Sequence, residues 1–237
     1  MKALLIFAVI YAHSYICFMY VYVTLQQILQ YGFTLNLANT MEAKEILRAH
    51  VAKLTSLTEE QFDYFFSFFK KQSFKKGQAI ISEGNAVDCE YFVISGCLKS
   101  FFINDDLKMF ILQFAMPTWW ASDYNALYNR TRATINVDCI TDAEVLCLSN
   151  DDREKLCNEL HNAEHFFRWR TNKGYVAANK RLLSFMNNNV RYRYEELLKL
   201  YPELYNIVPK KPHRSIPGGI KRNFEPPLSI RKVMYIT

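Results

Sequence analysis

The sequence predicts an α+β protein: helices lead into a small β jelly roll, and one long helix leaves it. Three observations carry the prediction. Apolar residues recur at helical spacing over Glu42–Lys71, five or six short strand patterns succeed one another from Phe74 to Ser149, and a Pro-free apolar seam runs over Glu164–Asn188. The 237 residues are 50% hydrophobic and 22% charged, which allows a packed core and excludes whole-chain disorder. Seven Gly and seven Pro exclude collagen-like and low-complexity classes. The net charge of +6 permits an acidic partner such as nucleic acid or a membrane surface without demanding one.

Residues 1–40 stand apart from the rest. Their one formal charge is Lys2, and Ala3–Leu25 contains no Asp, Glu, Lys or Arg. At about 1.5 Å per residue such a helix can cross a hydrocarbon core of about 30 Å. A signal peptide fits poorly, because the apolar part runs long and no small-x-small cleavage site closes it. Three readings stay open. Met41 begins MEAKEILRAHVAKL, an ordinary start for a soluble protein, so residues 1–40 can be upstream DNA translated from a misplaced start codon. Otherwise they form a membrane anchor through residues 3–25, or a partner-binding helix.

Residues 41–150 form the next unit. Leu47, Val51 and Leu54 share one helical face. Thr58 is an N-cap for a second helix, with Glu59, Glu60 and Gln61 in its first turn. Phe62, Phe65, Phe66, Phe68 and Phe69 give that helix a thick apolar face. From Phe74 the pattern changes to strands. KKGQAIISEG is turn, strand, turn; CEYFVISGCLKSFFI is a strand pair hinged at Ser95–Gly96; Asn104–Asp106 is a further turn before KMFILQFA. RATINVDCIT and AEVLCLS complete a sandwich or closed jelly-roll barrel.

Residues 151–189 are helical, with Asn150–Asp152 capping a short helix over Asp151–Glu159. In the long helix Phe167, Thr171, Gly174, Ala178, Leu182 and Phe185 keep a three-to-four period. Such a seam either pairs with a second copy, giving a homodimer through residues 164–188, or folds back onto its own barrel.

Several chemistries are set aside. The six cysteines show no CxxC and no metal-ligand spacing, so they read as buried thiols in a reducing cytosol, and the protein as cytoplasmic unless residues 1–40 anchor it. His161–His165 spells H-x-x-E-H, an inverted zinc-protease pattern. A catalytic zinc needs a third ligand, only five His exist, and Glu195 or Glu196 would have to serve. No Ser/His/Asp set and no Gly-rich phosphate loop is present. The expectation is a protein that is not an enzyme, with no metal and no cofactor.

GQAIISEGNAVDCEYFVISGCLKSFF resembles the effector domain of the Crp/Fnr superfamily of bacterial transcription regulators, in the variant common among Bacteroidetes. The matching positions are the turn Glu83–Gly84, then Tyr91–Phe92, the turn Gly96, and Lys99. DAEVLCLSNDDREKL resembles the closing strand and first helix after the barrel, and ANKRLLSFMNNNVRYRYEELLKLYPELYNIVP the end of the dimer helix. The resemblance covers roughly 41–209. It implies a cyclic nucleotide-binding-like barrel that senses an effector, a dimerisation helix, and a helix-turn-helix that reads DNA.

In the family the nucleotide pocket uses Gly-Glu on a short helix, then Arg-Ser or Arg-Thr. Here Ala121–Ser122–Asp123 replaces Gly-Glu, the Arg position falls on Ala133, and the hydroxyl position on Thr134. Arg132 lies one residue early, and a one-residue slip turns a strand side chain to the other face unless a bulge intervenes. Cyclic nucleotide is therefore disfavoured. The candidate pocket for another anionic or aromatic effector is Trp119, Trp120, Asp123, Arg130, Arg132 and Thr134. A purely structural barrel is the competing reading.

Residues 190–237 should then hold the helix-turn-helix, of the form I-A-x-x-L-G-x-x-x-x-T-L-S-R-[IL]. Pro217, Gly218, Gly219, Pro226 and Pro227 break it, and no DNA-reading residue is intact. A one-base shift of codons chosen for His213–Leu228 reads I-A-A-Y-L-G-G-L-K-G-T-L-S-R-L, which restores the spacing. A frameshift is the expectation. Lys210, Lys211, Arg214, Lys221, Arg222, Arg231 and Lys232 keep the tail basic, so it can still bind phosphates without sequence preference. The competing reading is a solvated tail in a stand-alone ligand-binding or interaction module, anchored to a membrane if residues 3–25 are translated.

Overall fold

The computed structural model describes residues 40–187. The chain divides into two units, Met1–Glu45 and Ile46–Thr237. Of the first, residues 40–45 are described and are helical, and in the second residues 46–51 are helical and are labelled α1. The segments 3–25 and 188–237 lie outside the described residues. Among the described residues no helix is long and apolar enough to cross a membrane.

Helix α2 spans Glu59–Ser67. Thr58 caps it as its sequence implies: the hydroxyl accepts from Gln61 N–H, and the Gln61 side chain accepts from Thr58 N–H. The helical reading ran too far beyond it, because Lys70–Phe74 is strand β1. β1 pairs with β8 at the edge of its sheet, where Lys70 is exposed and Lys71 reaches Glu144. Polar, Lys-bearing edges discourage strand addition, and they also remove the apolar alternation that would mark a strand.

Seven more strands follow: β2 Ala79–Ile81, β3 Cys89–Ser95, β4 Leu98–Ile103, β5 Met109–Ala115, β6 Trp120–Ala121, β7 Asn136–Cys139 and β8 Ala143–Ser149. They form two antiparallel four-stranded sheets, ordered β1-β8-β3-β6 and β2-β7-β4-β5, the layout of a jelly roll. β3 and β4 lie in different sheets, so Ser95–Gly96 is a corner between sheets and not a hairpin. Gly96 makes the corner possible. Its φ is +86°, and a Cβ there would sit 2.3 Å from Asp142 O and 2.8 Å from Ala143 Cα.

Sheet alternation separates two cores. Val93 and Val145 are paired and point into the roll, where they join Ile81, Leu98, Leu127 and Val137. Their neighbours Phe92 and Leu146 are paired and point outward. On that outer face Phe92 and Trp120 meet Phe65, Phe69, Phe166, Phe167 and His50 in a continuous set of ring contacts.

Helix α3 is Tyr124–Asn129, α4 is Asn150–Glu159 and α5 is His161–Asn187. α4 starts one residue before the sequence reading, because the N-cap is Ser149, whose hydroxyl accepts from Asp152 N–H. α5 starts three residues early, so the H-x-x-E-H segment is its first turn. Ala163, Phe166 and Phe167 are buried, whereas every residue from Thr171 to Leu183 is exposed. Within the described residues the distal part of α5 does not fold back onto the roll.

Candidate effector site and its link to the long helix

Asp123 is the best-defined polar centre of the roll. It is 2% exposed and N-caps α3, with Oδ1 accepting from Ala126 N–H at 3.1 Å. Oδ2 accepts from Thr134 N–H at 2.6 Å, from the Thr134 hydroxyl at 2.9 Å and from Ile135 N–H at 3.2 Å. Burial alone would raise its pKa, but these four donors outweigh it and hold the carboxyl below its ordinary value. Asp123 and Thr134 thus satisfy one another, and α3 is stitched to the segment before β7.

The other predicted residues are distributed around this centre. Ala133 is 4% exposed and part of the inner core, while Arg132 beside it is exposed and donates to Gly84 O at 3.4 Å. Arg130 closes α3 in the left-handed conformation, φ 54°, and its guanidinium pairs with Asp151 of α4 at 2.9 Å. Trp119 is partly exposed on the surface, 36%. Trp120 belongs to the outer aromatic core, where its Nε1–H donates to His50 Nε2 at 3.4 Å. The structure therefore unites Asp123 with Thr134, places Arg130 at a separate cleft, and leaves the two Trp side chains elsewhere. In the turn motif, Glu83 N–H donates to Asn136 Oδ1 at 2.9 Å and Gly84 N–H to Ala133 O at 2.8 Å, so the turn is docked on the same segment.

The cleft has a volume of about 250 Å³ and lies between the β2–β3 connection, α3 and the start of α4. Ala86, Val87 and Leu127 give it an apolar floor; Asp88, Arg130 and Asp151 are its charged groups.

Sequence reasoning missed a buried ionic cluster. Glu90 of β3 is 0% exposed and accepts from Arg170 of α5 at 2.6 Å, with Arg153 of α4 at 3.8 Å. Burial disfavours the Arg170 charge, but the Glu90 carboxylate, with Tyr124 and Tyr128, more than offsets this, so the Arg170 guanidinium is held above its ordinary pKa. The signal available was an acid amid the apolar run EYFVIS, on the face that Phe92 shares. Close by, His50 is held neutral: burial first, then the charges of Lys53, Arg170 and Lys173, lower its pKa to about 4.

In the H-x-x-E-H turn both Glu164 and His165 face Arg168, and Glu195 and Glu196 lie outside the described residues. Glu164 pairs with Arg168 at 3.0 Å, and Arg168 also lies 3.2 Å from His165 Nδ1. Among the described residues no group of three His, Cys, Asp or Glu is placed to hold a metal. The described cysteines are free thiols, and burial pushes Cys97 up to about 12 and Cys139 up to about 11, far from a nucleophile at neutral pH.

Residues 71–159 match the family model of the cyclic nucleotide-binding domain. The roll has the fold of that domain, as the resemblance implies. The catabolite activator protein of Thermus thermophilus is similar at 22% identity over 55% of this chain and 62% of its own, with a TM-score of 0.48. The sensor domain of the transcriptional regulator DNR from Pseudomonas aeruginosa is similar at 14% identity over 60% and 93%, TM-score 0.48. A cyclic nucleotide-binding domain from Methylobacillus flagellatus is similar at 11% identity over 60% and 83%, TM-score 0.52. At 11% identity the likeness to the last of these is one of fold alone, and the first is spanned over less than two thirds of its length. No curated protein matches the chain.

Proposed function

We propose that the chain is a Crp/Fnr-type transcription regulator whose roll senses a small effector other than a cyclic nucleotide, and that a frameshift over 213–228 has removed its DNA reading. The observation that carries this is α5. A cyclic nucleotide-binding-type roll leads, through α4, into a helix whose covered part ends at Arg170 and whose distal part exposes Tyr175, Val176, Leu182 and Leu183. Apolar residues at 175, 178 and 182 repeat at the spacing of a two-helix seam, which supports a homodimer through α5. The disfavouring of cyclic nucleotide rests on the cap. The α3 amide and the Thr134 hydroxyl that could hold a phosphate already hold Asp123, while Arg132 donates to Gly84 O and Arg130 pairs with Asp151.

Resequencing the gene across codons 190–237 tests the frameshift. A shifted frame encoding the helix-turn-helix supports the proposal, and its absence sinks it. Anisotropy titrations of the full chain against a random duplex library address DNA directly. The proposal expects weak, salt-sensitive binding with no preferred sequence, and a sequence-specific complex would overturn the loss of reading.

A second reading has its own support. The inside of the roll is filled by its apolar core, as in a stand-alone structural or interaction module. Thermal shifts with small-molecule panels, cyclic AMP and cyclic GMP included, separate the two, because a filled structural roll responds to none.

A further inference from the structure

The outer face of the β3 sheet carries one fully buried carboxylate, Glu90, with Phe92 two residues beyond it. Guanidinium groups from two different helices converge on it. Arg170 of α5 donates to Oε2 at 2.6 Å. Arg153 of α4 stands 3.8 Å from Oε1, and that oxygen accepts no hydrogen bond. Arg153 Nε and Arg170 Nη1 are also buried without hydrogen-bond partners. One carboxylate thus faces two guanidinium groups and is closed on only one of them. The second guanidinium is balanced elsewhere: Arg153 Nη1 lies 3.6 Å from Glu154 Oε1 at the exposed side of α4, and ring faces cover both arginines, Arg170 at 4.2 Å from the Trp120 centroid and Arg153 at 5.1 Å from those of Tyr128 and Phe167.

We propose that Glu90 is a two-way toggle, gripping the root of α5 through Arg170 in the present state and gripping α4 through Arg153 in an alternative one. Three placements support this. Arg170 is the last residue of α5 before the exposed stretch from Thr171 to Leu183, so its grip decides where the free shaft begins. Ser149, Asn150 and Asp151, at the start of α4, line the cleft, and Arg153 follows within the same turn and a half. Tyr128, the ring under Arg153, belongs to α3, which forms the other wall. A small molecule that parts α3 from α4 therefore acts on Arg153, and through the shared carboxylate on Arg170. The inference rests on the packing of α3, α4 and α5 and stands whether or not the chain reads DNA.

Hydrogen exchange of the full chain, read by mass spectrometry, tests it through variants of opposite sign. Arg170→Leu passes Glu90 to Arg153 and frees α5, so exchange over residues 161–170 rises by at least about tenfold relative to β8. Arg153→Leu removes the competitor, so exchange over 161–170 is unchanged or slower. Equal acceleration by the two variants, or no acceleration by Arg170→Leu, overturns the toggle. If either Leu variant loses its near-ultraviolet dichroism, Arg170→Lys and Arg153→Lys are compared instead. These keep the charge and lose the fork geometry. Arg170→Lys must then be the faster-exchanging of the two, and equality again overturns the proposal.

Discussion

Replacing Asp123 by Ala removes the acceptor for three backbone N–H groups and one hydroxyl at once. Hydrogen bonds to a charged group contribute about 1.5–3 kcal/mol each, but four on one carboxylate are not additive. Water also reaches part of the site, since Thr134 is exposed and Ile135 only half-buried. A loss of about 3–4 kcal/mol is the working value, above the about 1 kcal/mol typical of a helix cap alone. Asp123→Ser keeps the cap to Ala126 and abandons Thr134 and Ile135, so it falls between wild type and Asp123→Ala. Asp123→Asn can keep the cap but turns an NH2 toward the N–H groups of Thr134 and Ile135, and is expected to cost about 2 kcal/mol. Urea denaturation of the full chain reads these as shifts of midpoint at constant m. The carboxyl is held below its ordinary value, so its contribution is present above the unfolded pKa of about 3.9 and fades as pH falls through the lower folded value. Asp123→Ala should remove that part of the acid sensitivity. A loss under about 1 kcal/mol, or an unchanged acid limb, would refute the view that Asp123 is the knot of this segment.

Three other expectations are open to measurement. Gly96→Ala combines positive φ with a collision against Asp142 and Ala143 and should cost about 3 kcal/mol, whereas Gly84→Ala, also at positive φ but in open space, should cost about 1; comparable midpoints for the two would contradict the corner geometry. His50 has its pKa lowered to about 4, so the unfolded chain binds the proton first and stability falls as pH drops from about 6.5 to about 4, by about 2 kcal/mol after discounting for partial solvent access; His50→Phe should flatten that slope, and an unaltered slope would remove His50 as its cause. Leu182→Lys with Tyr175→Lys places charge on the exposed α5 stripe and should shift sedimentation toward monomer with the melting midpoint of the roll unchanged; a monomeric wild type would leave the stripe without a second copy to cover it.

The strands of the roll were legible where their two faces differ in polarity or where turn chemistry brackets them. Thr58 and Gln61 announce α2, and Gly77 and Gly84, both at positive φ, bracket β2. β1 was not legible, because Lys70–Phe74 at a sheet edge needs no apolar alternation. The corner at Gly96 reads in sequence like a hairpin, since a glycine reverses direction in either setting; only the pairing of β3 with β8 and of β4 with β7 distinguishes them. At the site, Arg132 is exposed and Ala133 buried, but neither lies in a strand: Arg132 makes an isolated bridge to Ala86 ahead of β7, so strand period does not account for the difference. The Glu90 cluster was not legible, because its members come from β3, α4 and α5 and meet only when the chain is packed.

That distinction bears on how α5 is to be understood. The period from Phe167 to Phe185 reads in sequence as one uniform seam. In the fold Phe167 belongs to the chain's own aromatic core, whereas Ala178 and Leu182 face solvent. The stretch of α5 that the chain's own core covers thus ends at Arg170, and the same periodicity continues beyond it on residues that face solvent. Ahead of it, apolar burial against Phe65 and Trp120 fixes the helix. Beyond it, nothing in the chain's own roll covers the apolar residues up to Leu183. A uniform hydrophobic join would make the two halves one rigid unit whose direction no local event could alter. An ionic join at the boundary is different in kind: its strength depends on which guanidinium is closed on Glu90, and on the desolvation of the one that is not. The proposed toggle therefore puts the adjustable contact of α5 at the buried charge and not in the aromatic packing around it.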